Sequence, residues 1–133
     1  MLFRLPGARL SRSIAPTQNP CMTAITPNSA NAGAGFSHIV IIWTDPAVST
    51  AAEELVAGAE RYLRGIPGIV NFYVGKMVPS PRAVVDQSYQ VGLNATFATK
   101  QAHDAYQVHP HHAEFVEKVL KRVCQRIVVY DFE

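Results

Sequence analysis

The sequence predicts a single α+β domain in which helices cover one face of a four-stranded sheet. Three observations carry this. Apolar residues alternate between the two-residue period of strands and the 3.6-residue period of helices, in the order strand, helix, strand, strand, helix pair, strand. The 133 residues suffice for one core and are too few for two of ordinary size. Hydrophobic residues make up 48 % of the chain and charged residues 17 %, the balance of a protein that buries a core rather than staying unfolded.

Each element has its own local reason. Residues 38–44 (H-I-V-I-I-W-T) form a short β-branched run closed by Asp45-Pro46, the profile of a strand buried on both faces. Thr50 followed by Glu53 is a capping box, after which Leu55, Val56, Ala59, Tyr62 and Leu63 recur at helical spacing. A helix is therefore expected over residues 50–64, stopped by Gly65 and the Pro67-Gly68 pair. Residues 69–77 are rich in strand formers and make a second strand. After the Pro79–Ser88 loop, residues 89–97 place Tyr89, Val91, Leu93, Ala95 and Phe97 on one face of a third.

Thr99 caps a short helix carrying Ala102, Ala105 and Tyr106, which breaks near Val108 because the residue before a proline avoids the helical region. Pro110 suits the first position of a new helix, which makes His109 its cap. Phe115, Val116, Val119, Leu120 and Val123 follow as one apolar stripe, and residues 126–132 close the chain as a strand. This β-α-β-β-α-β order is that of a ferredoxin-like subunit with one sheet face left bare. A bare face carrying apolar residues needs cover, and a homodimer with sheet facing sheet supplies it.

Residues 1–35 are rich in Pro, Asn, Ser, Ala and Gly, hold no acid, and are expected to be a disordered tail preceding a domain over residues 36–133. The Arg-bearing, acid-free start also resembles an organellar transit peptide over residues 1–21, and Met22 offers a second possible start. A cytoplasmic location is the expectation otherwise. Cys21 and Cys124 do not make a disulfide framework and suit a reducing compartment; Cys124 reads as a small buried hydrophobe.

The formal charge of +2 comes from the start of the chain, where Arg4, Arg9 and Arg12 face no acid before Asp45; the rest holds nine basic residues against ten acidic. No nucleic-acid partner is expected, since Lys118, Lys121, Arg122 and Arg126 read as the solvated face of a helix. The longest strongly apolar run, residues 39–43, is far too short to span a bilayer, so no membrane partner is expected either.

Four of the five histidines fall within residues 103–112, three of them in His109-Pro110-His111-His112. Such a cluster offers proton transfer, metal binding or a pH switch. His103 and His111 are assigned to the surface. A metal centre is not expected, because no cysteine or paired carboxylate lies near His109 and His112 to complete a ligand set. Trp43 is either an interface anchor or a core residue.

The strand opening at His38, the I-P-G turn at Ile66-Pro67-Gly68, the Val74-Gly75-Lys76 segment, the Y-Q-V-H-P-H-H motif from Tyr106 to His112 and the terminal V-V-Y-D-F occur in an order that resembles the stress-responsive dimeric A/B barrel family. The resemblance runs from about residue 38 to the end. It implies two ferredoxin-like subunits forming a dimeric α/β barrel. It includes a plant polyketide cyclase, olivetolic acid cyclase, which closes a linear polyketide by an aldol reaction without a cofactor. By that resemblance His112 is the base and Tyr106 its partner, and His38, Val40, Ile42, His109 and Phe115 line a small apolar pocket for a carbonyl ligand.

The same motif occurs in family members with no known activity, so His112 reads first as a packing or capping residue and Tyr106 is equally open to ordinary core packing. Leu55 and Ala59 stand where bulky aromatics line the cyclase tunnel, which departs from its pattern. The first helical turn would favour a neutral, base-competent His112. The expected function is thus a stress-responsive homodimer of unspecified activity, with two alternatives: a cofactor-independent cyclase, lyase or isomerase, and a cofactor-free monooxygenase.

Overall fold

The computed structural model describes residues 35–133. The tail, its targeting alternative and Cys21 lie outside the described residues. Strand β1 (Phe36–Thr44) leads to helix α1 (Ala51–Tyr62), then β2 (Ile69–Lys76), β3 (Val91–Phe97) and α2 (Lys100–Gln107). Helix α3 (Pro110–Phe115) passes into a π-helical stretch, Val116–Leu120, and a last turn, Lys121–Val123, before β4 (Cys124–Phe132). The sheet is antiparallel in the order β2-β3-β1-β4, as the ferredoxin-like expectation requires.

Period-two alternation divides the sheet. Phe36, His38, Val40 and Ile42 of β1 and Val91, Leu93, Ala95 and Phe97 of β3 are buried beneath the helices. Leu55 and Ala59 of α1, Tyr106 of α2, Phe115 of α3 and Val123 close the core from above. Ile39 and Ile41 point the other way and stay half-exposed, beside Tyr73, Tyr130 and Phe132, which are exposed. Among the described residues no helix is long and apolar enough to cross a membrane.

Local chemistry explains most of the boundaries. Gly68 adopts φ +95°, a left-handed conformation that suits glycine at the entry to β2. Thr99 accepts a hydrogen bond from the Ala102 N–H at 3.2 Å, and His109 Nδ1 accepts one from the His111 N–H at 3.1 Å, so both expected caps form. Gly58 lets α1 come close to the π-helical stretch: a Cβ there would stand 2.8 Å from a Val119 methyl.

Four details differ from expectation. Thr50 makes no capping bond to the backbone; its hydroxyl donates to Glu54, while Glu53 is drawn to Lys76 of β2 at 2.9 Å. Tyr89 precedes β3 and turns to the open face, where it meets Trp43 edge-on at 6.5 Å. Ala105 is exposed, and the buried face of α2 is His103 and Tyr106. The expected surface position of His103 is therefore wrong: three residues from Tyr106, it shares the inward face of the same helix, at 6 % exposure.

Candidate functional site

The break between α2 and α3 decides where the histidines go. Tyr106, on the last turn of α2, is 1 % exposed and packs against Phe97 at 5.2 Å. The chain then turns at Val108-His109, and His112 in the first turn of α3 comes back edge-on to the Tyr106 ring, centroids 4.9 Å apart. From below, His38 of β1 approaches the same ring at 5.9 Å, and His103 lies at 6.1 Å.

These side chains border a cavity of about 150 Å³ between sheet and helices. His38, Val40, Ile42, Tyr106, His112 and Phe115 line it, together with Leu63, Leu93, Gln107, Val116, Leu120, Ile127 and Val129. His109 is not among the lining residues; it is occupied as the cap of α3, with its ring against His111. Leu55 and Ala59 are core residues away from the cavity wall. Ile127 and Val129 are each more than two-fifths exposed, so the cavity opens along the β4 edge of the sheet.

The polar part of the wall is a chain of contacts. His38 Nδ1–H donates to Asp131 Oδ1 at 2.5 Å, a pairing set by the β1–β4 register that places these residues opposite each other. His103 Nε2 lies 3.1 Å from His38 Nδ1 and accepts from the Gln107 side-chain amide at 3.0 Å. His103 Nδ1 is buried without a hydrogen-bond partner. The sequence hid Asp131 because only the register reveals its partner; His103 carried a signal in its three-residue spacing from Tyr106.

Burial and neighbouring charge set the protonation states. Burial pushes the His112 imidazole below its ordinary pKa, with His38 and His103 adding to the shift. The direction is that expected from the helix terminus, but the causes are desolvation and the two histidines. Burial and His38 likewise lower His103, and burial raises the Tyr106 hydroxyl, so the tyrosine stays protonated. Burial also raises the Cys124 thiol, which keeps it a poor nucleophile.

The His112 shift predicts an acid-sensitive fold. An unfolded histidine titrates near about 6.5 and the folded one below it, so within that window the unfolded chain binds more protons. This contribution to stability is complete above about pH 6.5 and is lost as the pH falls towards the folded value. Urea midpoints measured with EDTA should be lower at pH 5 than at pH 7.5, and His112→Gln should narrow the difference. An identical difference in that variant would assign the acid sensitivity to other groups.

On the open face, Trp43 is half-buried; its indole N–H donates to Ser88 Oγ at 3.1 Å and the Arg126 guanidinium lies over its ring at 4.3 Å. It belongs to the open sheet face rather than to the core under the helices.

Solved structures of the same fold extend over the described domain. A Dabb family protein from Mesorhizobium loti is 24 % identical with a TM-score of 0.60, the match covering 74 % of this chain and 94 % of that one. A dimeric ferredoxin-like protein from Thermobifida fusca is 20 % identical with a TM-score of 0.62, covering 75 % and 91 %. A hydroxynitrile lyase from Passiflora edulis is 16 % identical with a TM-score of 0.62, covering 73 % and 90 %. No curated protein sequence is a significant match. The statistical profile of the Dabb family, the stress responsive A/B barrel domain, matches residues 36–133, and with the strand order and the Tyr106–His112 turn this establishes that the chain belongs to that family.

Proposed function

We propose that the protein is a homodimer whose cavity binds a small carbonyl compound, and that His112 and Tyr106 act on it as a cofactor-independent lyase, cyclase or isomerase. The observation that carries this reading is a neutral imidazole edge-on to a protonated tyrosine in a wall otherwise mostly apolar. His112 takes a proton from the carbon beside the carbonyl; the electron pair of that C–H bond forms the carbon–carbon double bond of an enolate, and the carbonyl π pair moves to the oxygen. The Tyr106 hydroxyl donates to the enolate oxygen that results. Among the described residues that hydroxyl has no hydrogen-bond partner, which leaves it available to a ligand.

The cavity limits the substrate. About 150 Å³ is the size that takes a benzene ring, so a small ketone, aldehyde or phenol fits within one subunit and an extended polyketide does not. The Passiflora edulis lyase supports the suitability of this scaffold for lyase chemistry; at 16 % identity it does not support these residues.

The open face and relatives described as dimeric support the dimer reading. Gly75 and Gly92 pair across β2 and β3 and form a trough bordered by Ile39, Ile41, Tyr73 and Tyr89. An apolar trough of this shape suits a second copy of the same sheet.

Mass spectrometry of small molecules released from the purified protein should identify a carbonyl compound or phenol. With that compound as substrate, His112→Gln should lower kcat by about 10²- to 10⁴-fold while binding persists. Unchanged turnover in His112→Gln would remove the catalytic reading.

A further inference from the structure

Three side chains from three elements bring candidate ligand atoms to one point beside the cavity. His38 comes from β1, Asp131 from the adjacent edge strand β4, and His103 from α2 above them. Nδ1 of His38, Nε2 of His103 and a carboxylate oxygen of Asp131 all lie within 4.8 Å of one another. No base in the Tyr106–His112 pair needs this second cluster.

Proton accounting leaves the cluster incomplete. One proton serves the His38–Asp131 contact. His103 Nε2 accepts from the Gln107 amide, which places the proton of a neutral His103 on Nδ1. That atom is buried and has no hydrogen-bond partner. Two imidazole nitrogens also stand only 3.1 Å apart, with a carboxylate beside them.

A cation at the centre changes the accounting. Ligands on one tetrahedral zinc ion, each about 2.0–2.1 Å from it, stand about 3.3 Å apart, so the His38–His103 spacing needs little adjustment. The His38–Asp131 contact must open by somewhat more, which an edge-strand carboxylate at 40 % exposure allows. Asp104 Oδ1 lies 3.7 Å from His103 Nδ1, within a small turn of the position from which a carboxylate takes the outer N–H of a metal-bound histidine. Two imidazoles with one carboxylate suit a borderline first-row ion; magnesium and calcium prefer oxygen donors throughout.

We propose that His38, His103 and Asp131 bind one divalent first-row transition cation of the zinc type per chain, at the cavity wall. A solvent or ligand oxygen, or the Gln107 amide turned to present its oxygen, fills the fourth position. The proposal departs from the metal-free expectation drawn from the sequence, and it stands independently of any role for His112.

The test is titration of the EDTA-stripped, dialysed full chain with Co²⁺ in excess Mg²⁺, read by visible absorption, with Zn²⁺ competition and metal analysis alongside. One Co²⁺ per chain, displaced by Zn²⁺, is expected. His103→Ala and Asp131→Asn should each weaken binding by about 100-fold or more, while His112→Gln and His111→Ala leave it unchanged. Asp131→Asn changes an exposed edge residue, so it keeps the test decisive if circular dichroism shows His103→Ala to be unfolded. No Co²⁺ or Zn²⁺ bound at micromolar free metal overturns the proposal. So does binding that survives Asp131→Asn and is lost in His111→Ala, which would place the ion on the exposed histidine run.

Discussion

Tyr106→Ala is expected to destabilise the protein by about 3–5 kcal/mol, and Tyr106→Phe by less than about 1 kcal/mol. The difference follows from where the ring and the hydroxyl stand. The ring is almost completely buried and holds together four partners from four elements: Phe97 of β3 at 5.2 Å, His112 of α3 at 4.9 Å, His38 of β1 at 5.9 Å and His103 of its own helix α2 at 6.1 Å. Removing it merges a void with the existing cavity and takes away the surface against which α3 returns after the Val108-His109 turn. Against a total stability of about 5–15 kcal/mol for a domain, the loss is a large share. The hydroxyl has no partner among the described residues, so deleting it leaves no buried group stranded. Urea unfolding of both variants checks the stability difference. The pair also separates structure from chemistry: under the proposed mechanism, Tyr106→Phe keeps the fold and loses turnover. A Phe variant as unstable as the Ala variant would show that the hydroxyl has a structural partner, and one with full turnover would remove Tyr106 from the mechanism.

Ile41→Asp is expected to convert the proposed dimer to a monomer at micromolar concentration while leaving the subunit folded. Ile41 sits on an interior strand, opposite Gly92 on one side and Val128 on the other, near the middle of the open face. In a lone subunit an aspartate there faces water and costs little. Between two sheets it is a charge removed from water without a partner, a loss of several kcal/mol, about 3–5 by analogy with broken buried pairs. Sedimentation should give twice the 14.6 kDa chain mass for the parent and a single chain mass for the variant. A dimeric Ile41→Asp protein would place the contact elsewhere, and a monomeric parent would remove the dimer altogether.

Much of the fold was legible because it rests on local rules. The caps at Thr99 and His109 depend on neighbours two or three residues away, and strand alternation placed Val91, Leu93, Ala95 and Phe97 correctly on the covered face. The site was legible only in part. His112, Tyr106 and His38 came from the motif and the resemblance, and the structure brings them together. The pairing of His38 with Asp131 joins residues 93 positions apart through strand register, which no local pattern encodes. His103 was misplaced because a histidine on a mostly polar, short helix looks solvated until the spacing from Tyr106 is weighed. The Thr50 box failed for a tertiary reason: Lys76 on β2 competes for Glu53.

The alternation of β1 gives this protein a kind of reading frame. Val40 and Ile42 serve the cavity, and their immediate neighbours Ile39 and Ile41 serve the opposite face. Losing a single residue from the middle of this strand would exchange the two sets beyond the deletion, turning cavity wall outward and open-face residues inward. Point substitutions can therefore alter one face of the sheet at a time, whereas short insertions and deletions in β1 disturb both together.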